Sequence, residues 1–234
     1  MSANNMPRID LIMVGNAPSE ISAVHGDFDS WFIHTIASLA SVTVQHCYSG
    51  QPLPPLDKSD GWIITGSPAS VYDAIEWLDR AKARIRSACI AEHPVLGVCF
   101  GHQLLAEALG GKVALNPQGW ELGLAEVELT PEGRVSDLFA DLDNPGIVFE
   151  THHDSVQQLP PQAVRLAENK MGIQAFQIGA NSLGVQFHPE FTPEIARAYV
   201  RQRSNAPDLE PVEHFNKGER SNLILSNFIQ YYVS

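Results

Sequence analysis

The chain has 234 residues, 44% of them hydrophobic and 18% charged, long enough to bury a real core without disulfides or metals as staples. Fifteen Lys and Arg against 27 Asp and Glu give a formal net charge of −12, which excludes the basic footprint expected for nucleic-acid binding or for docking on an anionic membrane. Three cysteines cannot all pair within one chain, and neither a basic-plus-apolar leader nor an apolar run of about 18 residues stands out, so the expectation is one domain in a reducing cytoplasm.

The first half alternates strand and helix signals. Residues 9–14 form a short apolar run, and residues 27–40 carry Phe28, Trp31, Phe32, Ile36 and Leu39 at helical spacing. A second strand starts at Val42, and a proline-rich loop occupies 51–55. A third strand over 61–65 stops at Gly66-Ser67-Pro68, and a helix is expected over 73–92 with Ile75, Leu78, Ala81, Ile85 and Cys89 inward. A fourth strand over 94–98 runs directly into an apolar helix that ends near Leu109. This alternation predicts an α/β fold with a mostly parallel sheet and helices on both faces.

The second half reads as short strands over 124–130, 147–150, 163–167, 173–178 and 183–187, with a hairpin turn at 179–182, hence a small antiparallel part. Thr192-Pro193 starts a helix, the hydroxyl as cap and the proline at the first helical position. A polar insertion is expected over 201–219, then a closing helix over 221–233.

Gly97-Val98-Cys99-Phe100-Gly101 carries the chemistry. Small residues flank a nucleophile between a strand and a helix, the pattern of a nucleophile elbow with Cys in place of Ser. The glycines allow the sharp turn, the helix N-terminus favours a thiolate, and the Phe100 amide is placed to donate to an oxyanion. Cys47 and Cys89 have no such setting and read as structural.

A cysteine nucleophile needs a base and an orienting group. His188 ends an apolar strand, and Glu190 follows two residues later across the stiff Pro189, so in extended backbone the two share a side. A metal site built from Thr151-His152-His153-Asp154 with His188 and Glu190 fits no zinc spacing, so no metal and no cofactor are expected.

The stretch from Gly97 to Ala106, followed by His188-Pro189-Glu190, resembles the class I (triad) glutamine amidotransferases, most of all their stand-alone GMP-synthase-like branch. The resemblance runs from about Ile9 to the last helix. It implies a flavodoxin-like three-layer sandwich and hydrolysis of a γ-glutamyl amide, glutamine or a related compound, through a Cys99 thioester that releases ammonia or an amine. It makes His188 the base and Glu190 its orienter. It adds Gly66 and Ser67 beside Phe100 as the oxyanion hole, with Ser67 where the family has glycine. It assigns Gln103, Thr151, His152, His153 and Asp154 to substrate binding, with His153 where glycine is usual. Gly119-Trp120-Glu121-Leu122-Gly123 resembles a family stretch taken as structural or pocket-lining.

Ammonia made this way can pass to a second, ATP-using domain, but Gly110-Gly111-Lys112-Val113 lacks the spacing and hydroxyl of a phosphate loop. The partners implied are a small γ-glutamyl substrate and either a separate synthase subunit or none. The alternatives are a γ-glutamyl peptidase acting alone, a cysteine α/β-hydrolase, and a redox-sensing module without catalysis. The short His-Pro-Glu spacing speaks against the hydrolase, and an intact base speaks against the sensor.

Overall fold

The computed structural model describes residues 6–204 and 212–233. In chain order its main elements are β1 (Arg8–Met13), α1 (Ser19–His25), α2 (Phe28–Ile36), β2 (Ser41–His46), β3 (Gly61–Ile64), α3 (Glu76–Ile90), β4 (Val95–Val98) and α4 (Phe100–Ala108). There follow β5 (Lys112–Leu115), β6 (Glu121–Leu129), β7 (Gly146–His152), β8 (Asp154–Gln158), β9 (Val164–Asn169), β10 (Gly172–Ile178) and β11 (Ser182–Val185). The chain closes with α5 (Pro193–Ser204), α6 (Val212–Phe215) and α7 (Leu223–Tyr232).

Nine strands form one sheet in the order β2-β1-β3-β4-β11-β10-β9-β6-β7. From β2 to β11 neighbouring strands are parallel, and from β11 to β7 they are antiparallel. A separate antiparallel pair joins β5 and β8. The fold class read from sequence is therefore found, and the parallel half has the doubly wound order in which ligands bind beyond the carboxyl ends of the strands.

The parallel strands β3, β4 and β11 are buried at every position, because helices cover both faces. Their side chains alternate between two cores. Ile63, Leu96 and Val185 join Phe32, Ile36 and Phe228 on one face, and Trp62, Ile64 and Val95 join Ile85, Leu104 and Leu105 on the other.

Several elements depart from the sequence expectation. The helix expected over 27–40 is found as the shorter α2, which ends at Ile36 and is capped by the Asp27 carboxylate accepting from the Phe28 amide; α1, before it, is not expected from the sequence. α1 buries Ile21 alone, so it has no apolar stripe to read. β5 and β8 contribute one core residue each to their cluster, Val113 and Val156, for the same lack of pattern. β6 starts three residues earlier than expected and β7 runs on to His152, and those extensions carry buried polar side chains.

Of the expected insertion, residues 205–211 lie outside the described residues. Residues 201–204 continue α5, and Gly218 packs where a Cβ would sit 2.6 Å from Phe149. No helix among the described residues is long and apolar enough to cross a membrane.

The first turn of α4 presses directly on β3 and β4. A Cβ on Gly97 would lie 2.4 Å from the Gly101 carbonyl oxygen, and one on Gly101 would lie 2.3 Å from the Ile64 carbonyl oxygen. Both obstacles are backbone and cannot swing aside. Gly97→Ala and Gly101→Ala should each cost about 2–4 kcal/mol of stability, read as a lower urea midpoint at unchanged slope. A midpoint equal to the wild type would show that α4 can lift off the sheet freely.

Candidate active site

Parallel register brings distant residues together. Gly97 pairs with Gly184 and Val98 with Val185, and the Cys99 amide donates to the Val185 carbonyl at 2.9 Å. Cys99 thus leaves β4 beside the point where the chain leaves β11 toward His188. Its backbone has φ 53° and ψ −104°, a positive-φ setting uncommon for a residue with a side chain. Cys99 is the N-cap of α4, and the Gly101 amide is taken by the Thr65 carbonyl at 3.1 Å.

A narrow recess of about 20 Å³, room for one water-sized body, is lined by Cys99, His188, Ser67, Thr151, Tyr199 and Arg203 among others. His188 is buried, and its Nδ1 lies 2.7 Å from Glu190 Oε1. A carboxylate can only accept, so Nδ1 carries the hydrogen and Nε2 is left for the sulfur. Nε2 is buried without a hydrogen-bond partner, and Cys99 lines the same recess. The ring stacks on Phe191 at 4.1 Å and lies parallel to Phe28, and its backbone amide donates to the Phe149 carbonyl.

Burial alone would lower the His188 pKa. The Glu190 carboxylate and the Cys99 sulfur outweigh it and raise the pKa to about 10. The buried pair is an imidazolium held between two acceptors.

The other residues singled out from sequence fall in different places. Ser67 lines the recess, and Gly66 lies so close that a Cβ would sit 3.2 Å from the His188 ring. Phe100 is the first residue of α4. Thr151 lines the recess with its hydroxyl unpartnered. Gln103 is buried and spends its amide on the Asp154 carbonyl (2.9 Å) and Gln186 Oε1 (3.1 Å). Asp154 accepts from the Ser70 and Tyr72 hydroxyls, bracing the loop that carries Ser67. His152 bonds inward, to the Asp154 carbonyl and to Glu121. His153 stacks on Trp120 at 4.7 Å, outside the recess lining.

Two residues of the recess escape a reading of the sequence. Tyr199 and Arg203 are four apart on α5, hence on one helix face, and Arg203 sits 4.3 Å over the Trp120 ring. The i,i+4 spacing is the available signal, hidden when residues from 201 onward are read as an insertion.

A family model described as Glutamine amidotransferase class-I matches residues 21–204. The chain is 31% identical over 144 residues to a protein called gamma-glutamyl peptidase 3 from Arabidopsis thaliana, covering 60% of this chain and 58% of that protein, less than two thirds of its length. It is 37% identical over 145 residues to a glutamine-hydrolyzing GMP synthase subunit of Saccharolobus solfataricus, covering 60% of this chain and 72% of that protein. A solved glutamine amidotransferase from Thermotoga maritima superposes with a TM-score of 0.77 over 97% of this chain and 99% of its own, at 21% identity, a likeness of fold.

The raised His188 pKa has a pH signature. Unfolded imidazole titrates at about 6.5. The pair's contribution to stability is complete below that pH and is lost as pH rises through about 10. The urea midpoint should therefore fall between neutral pH and about pH 10 in the wild type, and Glu190→Gln should flatten that fall. An unchanged slope in the variant would mean that Glu190 does not hold the proton on His188.

Proposed function

Because the chain belongs to the class I glutamine amidotransferase family, we propose that it hydrolyses a γ-glutamyl amide through a thioester on Cys99. The observation that carries the reading is a positive-φ cysteine at a helix start, in one recess with a buried His188–Glu190 pair.

The Cys99 thiolate attacks the side-chain carbonyl carbon. Negative charge builds on the carbonyl oxygen, where the Phe100 amide and the Gly66–Ser67 backbone are the donors we assign. The His188 imidazolium gives its Nε2 proton to the leaving nitrogen, the C–N bond breaks, and ammonia or an amine departs from the thioester. His188, now neutral, takes a proton from water as the water oxygen attacks the thioester; the C–S bond breaks, the acid product leaves, and the thiolate and imidazolium are restored. Glu190 keeps Nδ1 protonated through both halves.

The two named relatives set the substrate range to be tested: glutamine and γ-glutamyl peptides. They also set two fates for the nitrogen, release by the protein acting alone or delivery to a separate synthase subunit. The first is our reading, and three unpaired cysteines favour placing it in the cytoplasm.

The test is a panel of γ-glutamyl amides and peptides incubated with purified protein alone. Turnover is expected, and Cys99→Ala should abolish it, a loss of at least about 1,000-fold, with an unchanged circular dichroism spectrum. His188→Ala should do the same. Equal turnover in Cys99→Ala would refute the thioester route. Silence of the wild type until a synthase partner is supplied would refute the stand-alone reading.

A further inference from the structure

A second group of buried titratable side chains sits behind the recess and has no part in the thioester route. Glu121 opens β6, and Glu150 and His152 lie two apart on β7. The register sets Glu121 opposite His152, so all three share one face of the sheet. They are 7%, 2% and 4% exposed, and one nitrogen or oxygen from each lies within 4.8 Å of the others. His152 Nε2 is 3.0 Å from Glu121 Oε2 and 3.4 Å from Glu150 Oε2.

The surroundings orient these atoms. His152 Nδ1 lies 2.9 Å from the Asp154 carbonyl oxygen, which only accepts, so Nδ1 carries a hydrogen and Nε2 is the ring nitrogen that faces the two carboxyls. Glu121 is held by the side-chain amides of Gln174 (2.8 Å) and Asn169 (2.6 Å). Glu150 has nothing comparable: both its oxygens are buried without a hydrogen-bond partner. Burial, and then the neighbouring Glu121, push its acid well above the usual carboxyl range. A bare carboxyl inside a protein is expensive and asks what it is kept for.

We propose that Glu121, Glu150 and Nε2 of His152 bind one divalent first-row cation of the Zn²⁺ type. Atoms that each sit about 2.1 Å from one ion are about 3.0 Å apart at a right angle and about 3.4 Å apart at a tetrahedral angle, so small adjustments suffice. Two carboxylates neutralise the dication, and mixed nitrogen and oxygen donors suit Zn²⁺, Mn²⁺ or Co²⁺ better than Ca²⁺. The Nδ1 hydrogen bond to a backbone carbonyl and the amide donors on Glu121 are the outer contacts that ligating groups characteristically have. Access is provided as well. Glu121 also lines an open groove of about 700 Å³, whose walls carry Glu126, Glu128 and Glu168 against Lys170, and the excess of negative charge draws cations toward it.

The test uses Cys99→Ala protein stripped with a chelator, so that the active-site thiol cannot bind metal and the outcome is independent of any γ-glutamyl activity. Titration with Zn²⁺ by calorimetry, and with Co²⁺ by visible absorption, should show about one ion per chain. Glu150→Gln should weaken binding at least about 10-fold, and Glu128→Gln on the groove wall should leave it unchanged. If Glu150→Gln fails to fold, X-ray absorption on the Zn²⁺-loaded Cys99→Ala protein decides instead, with nitrogen and oxygen ligands including one imidazole expected. Absence of saturable binding, binding indifferent to Glu150→Gln in a folded variant, or sulfur among the ligands would each overturn the site.

Discussion

Cys99 owes its position to a steric squeeze. The first turn of α4 comes so near β3 and β4 that positions 97 and 101 have no space for a Cβ, with backbone oxygens 2.4 and 2.3 Å from where one would be. The chain between them has a short, fixed span to cover, and it does so by turning Cys99 to positive φ. That strain is local and costs on the order of 1–3 kcal/mol, which the packed cores on the two faces of the sheet sustain. In return the sulfur stands at the start of a helix, beyond the carboxyl end of a central strand, where a doubly wound sheet places its ligand crevice.

Electrostatics then act on a site that sterics have shaped. Two imidazole–carboxylate pairs are buried in this region, His188 with Glu190 and His152 with Glu121. In both, one ring nitrogen is fixed by an acceptor, so the other is committed to a single direction. The pairs differ in what that second nitrogen meets: a sulfur in the recess for His188, and two carboxyls away from it for His152. Glu150 is buried beside the second pair without a hydrogen bond, and burial raises its pKa, so it favours the neutral acid there.

Much of this is legible from the residues because the informative signals are local. Gly97, Cys99 and Gly101 lie within five positions, and His188 and Glu190 within three, so the elbow and the imidazole–carboxylate pair can be read without a fold. Features that depend on pairing between distant segments are not. The bracing of Ser70 and Tyr72 by Asp154 spans more than 80 positions, and no periodicity marks it. The partners that the Gln103 amide nitrogen and the His152 ring nitrogens take within the protein come from β6, β8 and the exit of β11, which only tertiary pairing brings to them. α1, β5 and β8 bury too few side chains to leave a pattern. Glu150 is silent in the sequence because a buried acid in an apolar strand reads like any exposed one until its neighbours are known.

The strand order also dictates when the active site can come into being. β11 is drawn from the last quarter of the sequence yet lies between β4 and β10, in the middle of the sheet. Until it has been inserted, β4 has an open edge, the Cys99 amide lacks its acceptor, and His188 has nowhere to stand. Residues 99 and 188 come together only when the sheet closes, so this corner of the molecule is the product of the whole chain and of no single segment.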